Sequence, residues 1–439
     1  MSFPSPEFWS DFSASHWEKA PLLLHQPFGG LFADPAEVFA AVVRACDRFR
    51  EGESVRLRLF GHQGLVVGDL DRLLPAGSDA GFPAYGQRVT RELQSPTFTF
   101  VANYLHVHDS RLWNSVRRFL AGLYAQVGLP ADHADVDVFA STNALTPFGI
   151  HRDPASNFTL VLQGRKTMRL WPQESFARRP PMDAESFAAH RAHALTLEGE
   201  AGDLLYWPSG YWHVADSDGD LSVTLNVSLY LDATADAPGS PAVELVSQRA
   251  RELVRRRLQA GPAAPTYPAS LRHGQEDATP LPRPIVEAIQ AFEELGRDGS
   301  LAKDALGVWL NRLTASGFNK VPAALPPAAL LDDDEVSLDS GFPVLWHEIG
   351  GEIAISGNGR TIFWPRDRAN VVGLIERLNR GDRLRVGSLV EELASTRAEA
   401  SALRTLLGIL SSWHCVERAT AATIWPRAAE HRPAAVAAR

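Results

Sequence analysis

Cysteine is nearly absent: Cys46 and Cys415 are the only two in 439 residues. Two thiols so far apart build neither a disulfide framework nor a cysteine-based zinc site, and their scarcity suits a reducing compartment. No apolar run approaches the ~20 residues a membrane helix needs. The opening MSFPSPEFWSDF lacks the basic start and apolar core of a signal peptide. A cytoplasmic protein with no membrane partner is expected. Long basic runs are missing too. The densest, RARELVRRR at 249–257, has helical spacing, and the formal charge of the chain is −9. Nucleic acid is therefore not an expected partner. What is present is ordinary for a globular protein, 45% hydrophobic and 22% charged residues, in a chain long enough for two or three domains.

The first 130 residues mix helix and strand. DPAEVFAAVVRACDRFR has Asp34 as a cap, Pro35 in the first turn and helical periodicity; DSRLWNSVRRFLAGLYAQVGLP is a second amphipathic helix, stopped by Gly128 and Pro130. From about 135 the pattern turns to short alternating segments (DVDVFAST, NFTLVLQG, KTMRLWP, HALTLEGEAGDLLYWP, LSVTLNVSLYL), as in a β-sandwich or barrel. Past 240 helical periodicity returns, interrupted by the Pro/Gly-rich connector at 261–284. Asn358-Gly359 then supplies a hairpin turn in EIAISGNGRTIFWP, before three short helices.

The stretch GIHRDPASNFTLVLQGRK puts His151 and Asp153 two residues apart, ahead of an alternating strand and Lys166. On a strand, side chains at i and i+2 share a face. Two imidazoles and one carboxylate on one side of a metal, with the other positions open, are the donor set of a non-haem iron oxygenase. Downstream, GDLLYWPSGYWH delivers His213 after two turns. Thr224, Asn226, Ser228 and Tyr230 share one face of the following strand, opposite Val223, Leu225, Val227 and Leu229. Asn157 and Thr159 make a similar polar face behind the His-x-Asp pair. The plain alternative is a half-buried strand with ordinary polar residues. Other candidates rank lower. His133 and Asp135 read as a solvated loop; His106-Val107-His108, on an alternating segment, reads as core or groove lining. LLDDDEVSLD (330–339) reads as a solvated loop or helix N-terminus, and Trp207, Tyr211 and Trp212 as core aromatics or a groove wall.

The combination of His151, Asp153, Asn157, Gly164, Lys166 and GDLLYWPSGYWH resembles the JmjC (cupin) family of Fe(II)/2-oxoglutarate oxygenases. Within it, the chain is similar to the bacterial ribosomal-oxygenase-like and asparaginyl-hydroxylase-like proteins, and FWSDFSASHWEKAPLLL resembles the N-terminal segment of the ribosomal branch. The resemblance implies an α+β fold: a double-stranded β-helix (cupin/jelly-roll) core with flanking helices, then a mostly helical C-terminal region with a winged-helix-like end. The implied domains are an oxygenase domain at 1–240, a helical linker and dimerisation region at 241–330, a winged-helix-like domain at 331–428 and a disordered tail at 429–439. It further implies iron ligation by His151, Asp153 and His213, which would then be the catalytic residues. Lys166 would pair with the distal carboxylate of 2-oxoglutarate, with Asn157, Ser228 and Thr146 lining the cosubstrate pocket. Fe(II), 2-oxoglutarate and O2 would serve hydroxylation of a side chain of a protein or peptide, releasing succinate and CO2, and the C-terminal helices would be the place for a homodimer. An oxygenase acting on RNA or a small molecule, and a cupin-fold binding protein without catalysis, remain as alternatives.

Overall fold

The computed structural model describes residues 3–418 apart from 63, 144, 181–183, 217–218, 232–240, 259–282, 328 and 340. Most of the connector at 261–284 and the tail at 429–439 therefore lie outside the described residues. The chain divides into two compact units, Met1–Ala323 with Gly359–Thr361, and Ala324–Asn358 with Ile362–Arg439.

The first unit is built on eleven described strands: β1 (Leu22–Leu24), β2 (Leu57–Gly61), β3 (Gly64–Leu65), β4 (Thr99–Ala102), β5 (Ala134–Ser141), β6 (Ala155–Gln163), β7 (Arg165–Trp171), β8 (Leu195–Glu200), β9 (Leu204–Trp207), β10 (Trp212–Asp216) and β11 (Ser222–Tyr230). Eight of them form one antiparallel sheet in the order β1-β9-β6-β11-β5-β4-β2-β3, and three form a second in the order β10-β7-β8. Val161, Leu205 and Trp207 of the large sheet pack against Met168, Leu170 and Leu197 of the small one. The two sheets thus face each other.

Period-two patterning decides what each face of the large sheet does. Phe158, Leu160 and Leu162 of β6 point outward with Val223, Leu225, Val227 and Leu229 of β11. They meet Trp9 and Phe12 of the helix Pro6–Ser15 and Val116, Phe119 and Leu123 of the helix Ser110–Val127. These helices start where their caps dictate. Asp34 accepts from Ala36 N (2.8 Å) ahead of the helix Pro35–Arg50, and Asp109 accepts from Leu112 N (2.8 Å) ahead of Ser110–Val127. The β6–β7 turn needs Gly164: its φ is 72°, and a Cβ there would overlap the Leu221 carbonyl oxygen.

Three helices, Pro241–Leu258, Arg283–Arg297 and Ser300–Thr314, follow and share a small core of Val254, Ala291 and Leu295. The end of the last returns to the two sheets. Arg117 donates to Thr314 O (2.7 Å), Ala134 N donates to Gly317 O (3.1 Å), and Phe318 is buried in the main core.

The second unit contains β12 (Glu335–Leu338) between the short strands β16 (Leu384–Arg385) and β17 (Val416–Arg418), and the sheet of β13 (Leu345–Ile349), β14 (Glu352–Gly357) and β15 (Arg360–Pro365), the last from Ile362 onward. The helices Val371–Asn379, Val386–Leu393 and Arg397–Ser412 pack on Val336 and Leu338 through Leu374, Leu389 and Leu406. Asn358 and Gly359 both take positive φ (48° and 76°), as the Asn-Gly hairpin signal requires. One expectation is corrected: Glu335–Leu338 is a strand, because Val336 and Leu338 alternate into the core, rather than part of a solvated loop or helix start. No described helix is long and apolar enough to cross a membrane.

Candidate metal centre

His151 and His213 face each other across an antiparallel bridge. His151 N donates to His213 O (3.0 Å) and His213 N to His151 O (2.7 Å), which sets the imidazole centroids 4.3 Å apart. His213 follows the turn after β9, as the sequence suggests, and lies at the start of β10. His151 and Asp153 do not lie on a strand: β6 begins at Ala155, and the bridge to His213 is the one ladder contact described for that segment. Pro154, which has no N–H to donate, separates Asp153 from the strand. The pair still shares a side, because the bridge orients His151 and the Gly210 N–H holds the Asp153 carbonyl (3.2 Å).

Each imidazole has its Nδ1 within hydrogen-bonding distance of a nearby carbonyl, His151 to Gly149 O (2.8 Å) and His213 to Tyr211 O (3.1 Å). A carbonyl can only accept, so Nδ1 donates and Nε2 is the ring nitrogen left to face Asp153. Both Nε2 atoms look at one Asp153 oxygen, at 3.9 Å and 3.5 Å. One donor atom from each of the three residues falls within 4.8 Å of the others. Burial, and then the neighbouring His213, lowers the His151 pKa to about 4. Burial alone would raise the Asp153 carboxyl, but the hydrogen bond and charge of His213 hold it below its ordinary value. Two imidazoles beside a carboxylate are the donor set a divalent metal takes.

The cluster opens into a cavity of 370 Å³ between the sheets, lined among others by Thr146, Thr159, Lys166, Trp207, Thr224, Asn226 and Ser228. Lys166 enters it from the start of β7. Burial lowers its pKa to about 8, and among the described residues no carboxylate or hydrogen-bond acceptor pairs with it. An ammonium in such a place could pair with an anion entering the cavity. Thr146 and Ser228 line the cavity; Asn157 does not. Asn157 is 2% exposed and sits behind the wall, where its Oδ1 accepts from Ser228 Oγ and Asn226 Nδ2, both at 2.9 Å. It bonds to the lining residues Ser228 and Asn226 and does not itself line the cavity.

Several cavity residues were not picked out from the sequence. Asp137 of β5 is one; it stands opposite Asn226 of β11, while Asp135, which does not line the cavity, stands opposite Ser228. The alternation in DVDVF, laid beside the polar face of β11, is the signal that would have found Asp137. The reading of His133/Asp135 as a solvated loop is corrected: Asp135 is 4% exposed on β5, and the His133 ring stacks on Tyr230 at 4.4 Å. Burial, and then repulsion from Asp137 and Asp153, raises the Asp135 pKa; burial raises that of Asp137, although Tyr104 N (3.0 Å) and Asn103 Nδ2 (2.6 Å) donate to it. Arg58, Phe148 and Arg179 reach the mouth from three separate segments and carry no local pattern. The Phe148 ring packs against Phe60 (5.0 Å) beneath the Arg58 guanidinium (5.3 Å).

The lower-ranked candidates go elsewhere. His106 lies on a one-turn 3-10 helix, Leu105–His108, not on an alternating segment. It is fully buried and bonded to Lys320 O (3.0 Å), and burial lowers its pKa to about 3. Trp207 lines the cavity beside His213 (5.2 Å), whereas Trp212 is core, donating to Gln173 O (3.0 Å).

Residues 120–236 match the family model of the JmjC domain. Ribosomal oxygenase 1 of Gallus gallus is 27% identical over 236 residues, covering 52% of this chain and 35% of the relative. The bifunctional lysine-specific demethylase and histidyl-hydroxylase NO66 of Dictyostelium discoideum is 37% identical over 99 residues, 20% of this chain and 19% of the relative. The chain thus matches 35% or less of the length of these curated relatives. Among solved structures, the ribosomal oxygenase YcfD from Escherichia coli aligns with a TM-score of 0.51 at 17% identity, over 95% of this chain and 99% of that one. At that identity the likeness is one of fold.

Proposed function

We propose, from the premise that residues 120–236 of this chain are a JmjC domain, that it is an Fe(II)- and 2-oxoglutarate-dependent oxygenase hydroxylating a side chain of a protein or peptide. The observation that carries this reading is the meeting of His151, Asp153 and His213 within 4.8 Å at a cavity that also holds Lys166, which has no partner among the described residues. The two sheets are read as the double-stranded β-helix of a cupin.

His151 Nε2, His213 Nε2 and an Asp153 oxygen are the groups that would hold Fe(II). The bound iron would supply the coupling of O2 reduction to 2-oxoglutarate decarboxylation and substrate oxidation, releasing succinate and CO2. The residues around it bind, orient and exclude. The carbonyls of Gly149 and Tyr211 fix the two imidazoles in the ligating tautomer. Lys166 receives the distal carboxylate of 2-oxoglutarate, in a wall where a charge-assisted contact is strong. Thr146 and Ser228 offer hydroxyls to the same guest, and Asn157 holds Ser228. Met168, Trp207 and Phe148 keep water away from the reacting carbon. Asp137 and Asn226 give the substrate side chain polar partners at the mouth.

A protein or peptide substrate is favoured over RNA by the chain's negative charge and by its likeness to a ribosomal oxygenase and to a lysine-specific demethylase and histidyl-hydroxylase. The helices Arg283–Arg297 and Ser300–Thr314 leave Ile289, Phe292 and Trp309 each about half exposed, and these helices are read as the homodimer contact. The second unit, three helices with small sheets, is read as winged-helix-like. Two buried free cysteines suit the cytoplasm. The test is to incubate the full chain with Fe(II), 2-oxoglutarate and host peptides. Succinate formation and addition of one oxygen to a peptide are expected. Undiminished succinate production by His151→Ala would overturn the assignment.

A further inference from the structure

The stretch HWEKAP contributes no residue to the cavity, yet one of its members holds an unfavourable backbone. Glu18 has φ of 53°, in the left-handed region that side chains other than glycine enter at a cost. Such a cost persists where contacts outweigh it, and Glu18 makes four. Its carboxylate accepts from Ser156 Oγ, from Ser209 N (3.2 Å) and from Ser209 Oγ, and its own N–H donates to Tyr206 Oη (2.9 Å). The neighbouring Trp17 lies nearly parallel to the Tyr206 ring, 6.2 Å away.

The partners of this carboxylate lie on the two segments that carry the metal-binding candidates. Ser156 follows Asp153 by three residues, at the start of β6. Ser209 precedes His213 by four, in the turn between β9 and β10. The same turn supplies the Gly210 N–H that holds the Asp153 carbonyl. His151 and His213 are tied to each other by two backbone hydrogen bonds and need little further help. Asp153 lies off any strand, with a side chain 43% exposed, so its place depends on the Ser209–Gly210 turn and on Ser156. One carboxylate from the N-terminal segment bonds to both.

The geometry points to Glu18 as a positioning residue of the metal centre, setting the carboxylate ligand Asp153 at its distance from His213. This rests on the reading of His151, Asp153 and His213 as a metal centre. Glu18 acts through the backbone of its partners and touches neither metal nor substrate. Its loss should therefore change how tightly and in what geometry the site holds an ion, beyond any general loss of stability.

The test titrates Co(II) into metal-free full-length protein and follows the visible cobalt spectrum, alongside thermal melts. Wild type, Glu18→Ala, Glu18→Gln and the remote control Asp34→Ala, which removes a helix cap, are compared. Glu18→Ala is expected to bind Co(II) on the order of tenfold more weakly, as losses of ligand-orienting contacts do, with an altered spectrum. Glu18→Gln keeps one acceptor oxygen and should fall between. Asp34→Ala should bind as wild type whatever its melting temperature. Wild-type affinity and spectrum in Glu18→Ala would overturn the inference, as would an equal affinity loss in Asp34→Ala. Should Glu18→Ala not fold, Glu18→Gln decides, and wild-type behaviour there overturns it equally. A wild-type protein that takes up no Co(II) would overturn the metal reading itself, and this inference with it.

Discussion

β6 and β11 run side by side through the first unit, and their two faces share almost nothing. Outward, Phe158 of β6 meets a layer of aromatic rings: its own lies 4.8 Å from Tyr206, 5.3 Å from Phe119 and 5.8 Å from Phe12. Leu225 and Val227 of β11 belong to the same layer. Inward, Thr159, Thr224, Asn226 and Ser228 line a polar cavity, and a lysine enters it with no partner among the described residues. The outer face serves packing; the inner face carries groups that packing alone would not choose. Stability and chemistry are therefore separable by residue parity along the same two strands.

That separation can be tested from both sides. The largest effect is expected from His151→Ala: loss of metal-dependent turnover with a melting temperature near wild type, checked by succinate release and calorimetry on one preparation. A large drop in melting temperature would show that the imidazole also serves the fold. Next comes Phe158→Ala on the opposite face. Removing a fully buried ring should cost about 3–5 kcal/mol of stability, measured by denaturant unfolding. The protein that stays folded should keep its metal affinity; a fall in affinity would mean the two faces are coupled.

Lys166 sharpens the comparison through pH. Its pKa in the empty protein is lowered to about 8 from an ordinary 10.5, so between those values the unfolded chain binds more protons than the folded one. Stability of the empty protein should rise with pH across that window. Affinity for 2-oxoglutarate should do the opposite, level below about pH 8 and then falling by up to about tenfold per pH unit as the ammonium is lost. Calorimetric titration with the cosubstrate across this range checks it. A flat affinity, or one unchanged in Lys166→Ala, would remove the lysine from the anchor role.

How much of this was legible in the sequence also divides by face. The strands of the barrel, the Asp34 cap and the Asn358-Gly359 turn follow from local patterns that tertiary structure leaves intact. His213 and Lys166 were legible because short motifs place them at strand starts. The His151–Asp153 pair was found for a partly mistaken reason: a single bridge to His213, not a strand, orients it. Asp137 was missed because its role appears only when β5 is laid beside β11 in register. Arg58, Phe148 and Glu18 were out of reach, since each joins the site or its support across chain separations that no periodicity encodes.

The smallest effect tests the wall between the faces. Ser228 Oγ donates to Asn157 Oδ1 at 2.9 Å and accepts from Asn226 Nδ2 at 3.1 Å, so it both lines the cavity and belongs to the network behind it. Ser228→Ala removes these bonds while Asn157 keeps the one from Asn226, and the stability cost should be about 0.5–1.5 kcal/mol. If the hydroxyl also touches the cosubstrate, the KM for 2-oxoglutarate rises while kcat holds, because a contact present in ground and transition states alike acts on binding. If it serves only the network, KM stays and the unfolding midpoint alone moves. The ratio of the two changes therefore assigns Ser228 to one face or the other.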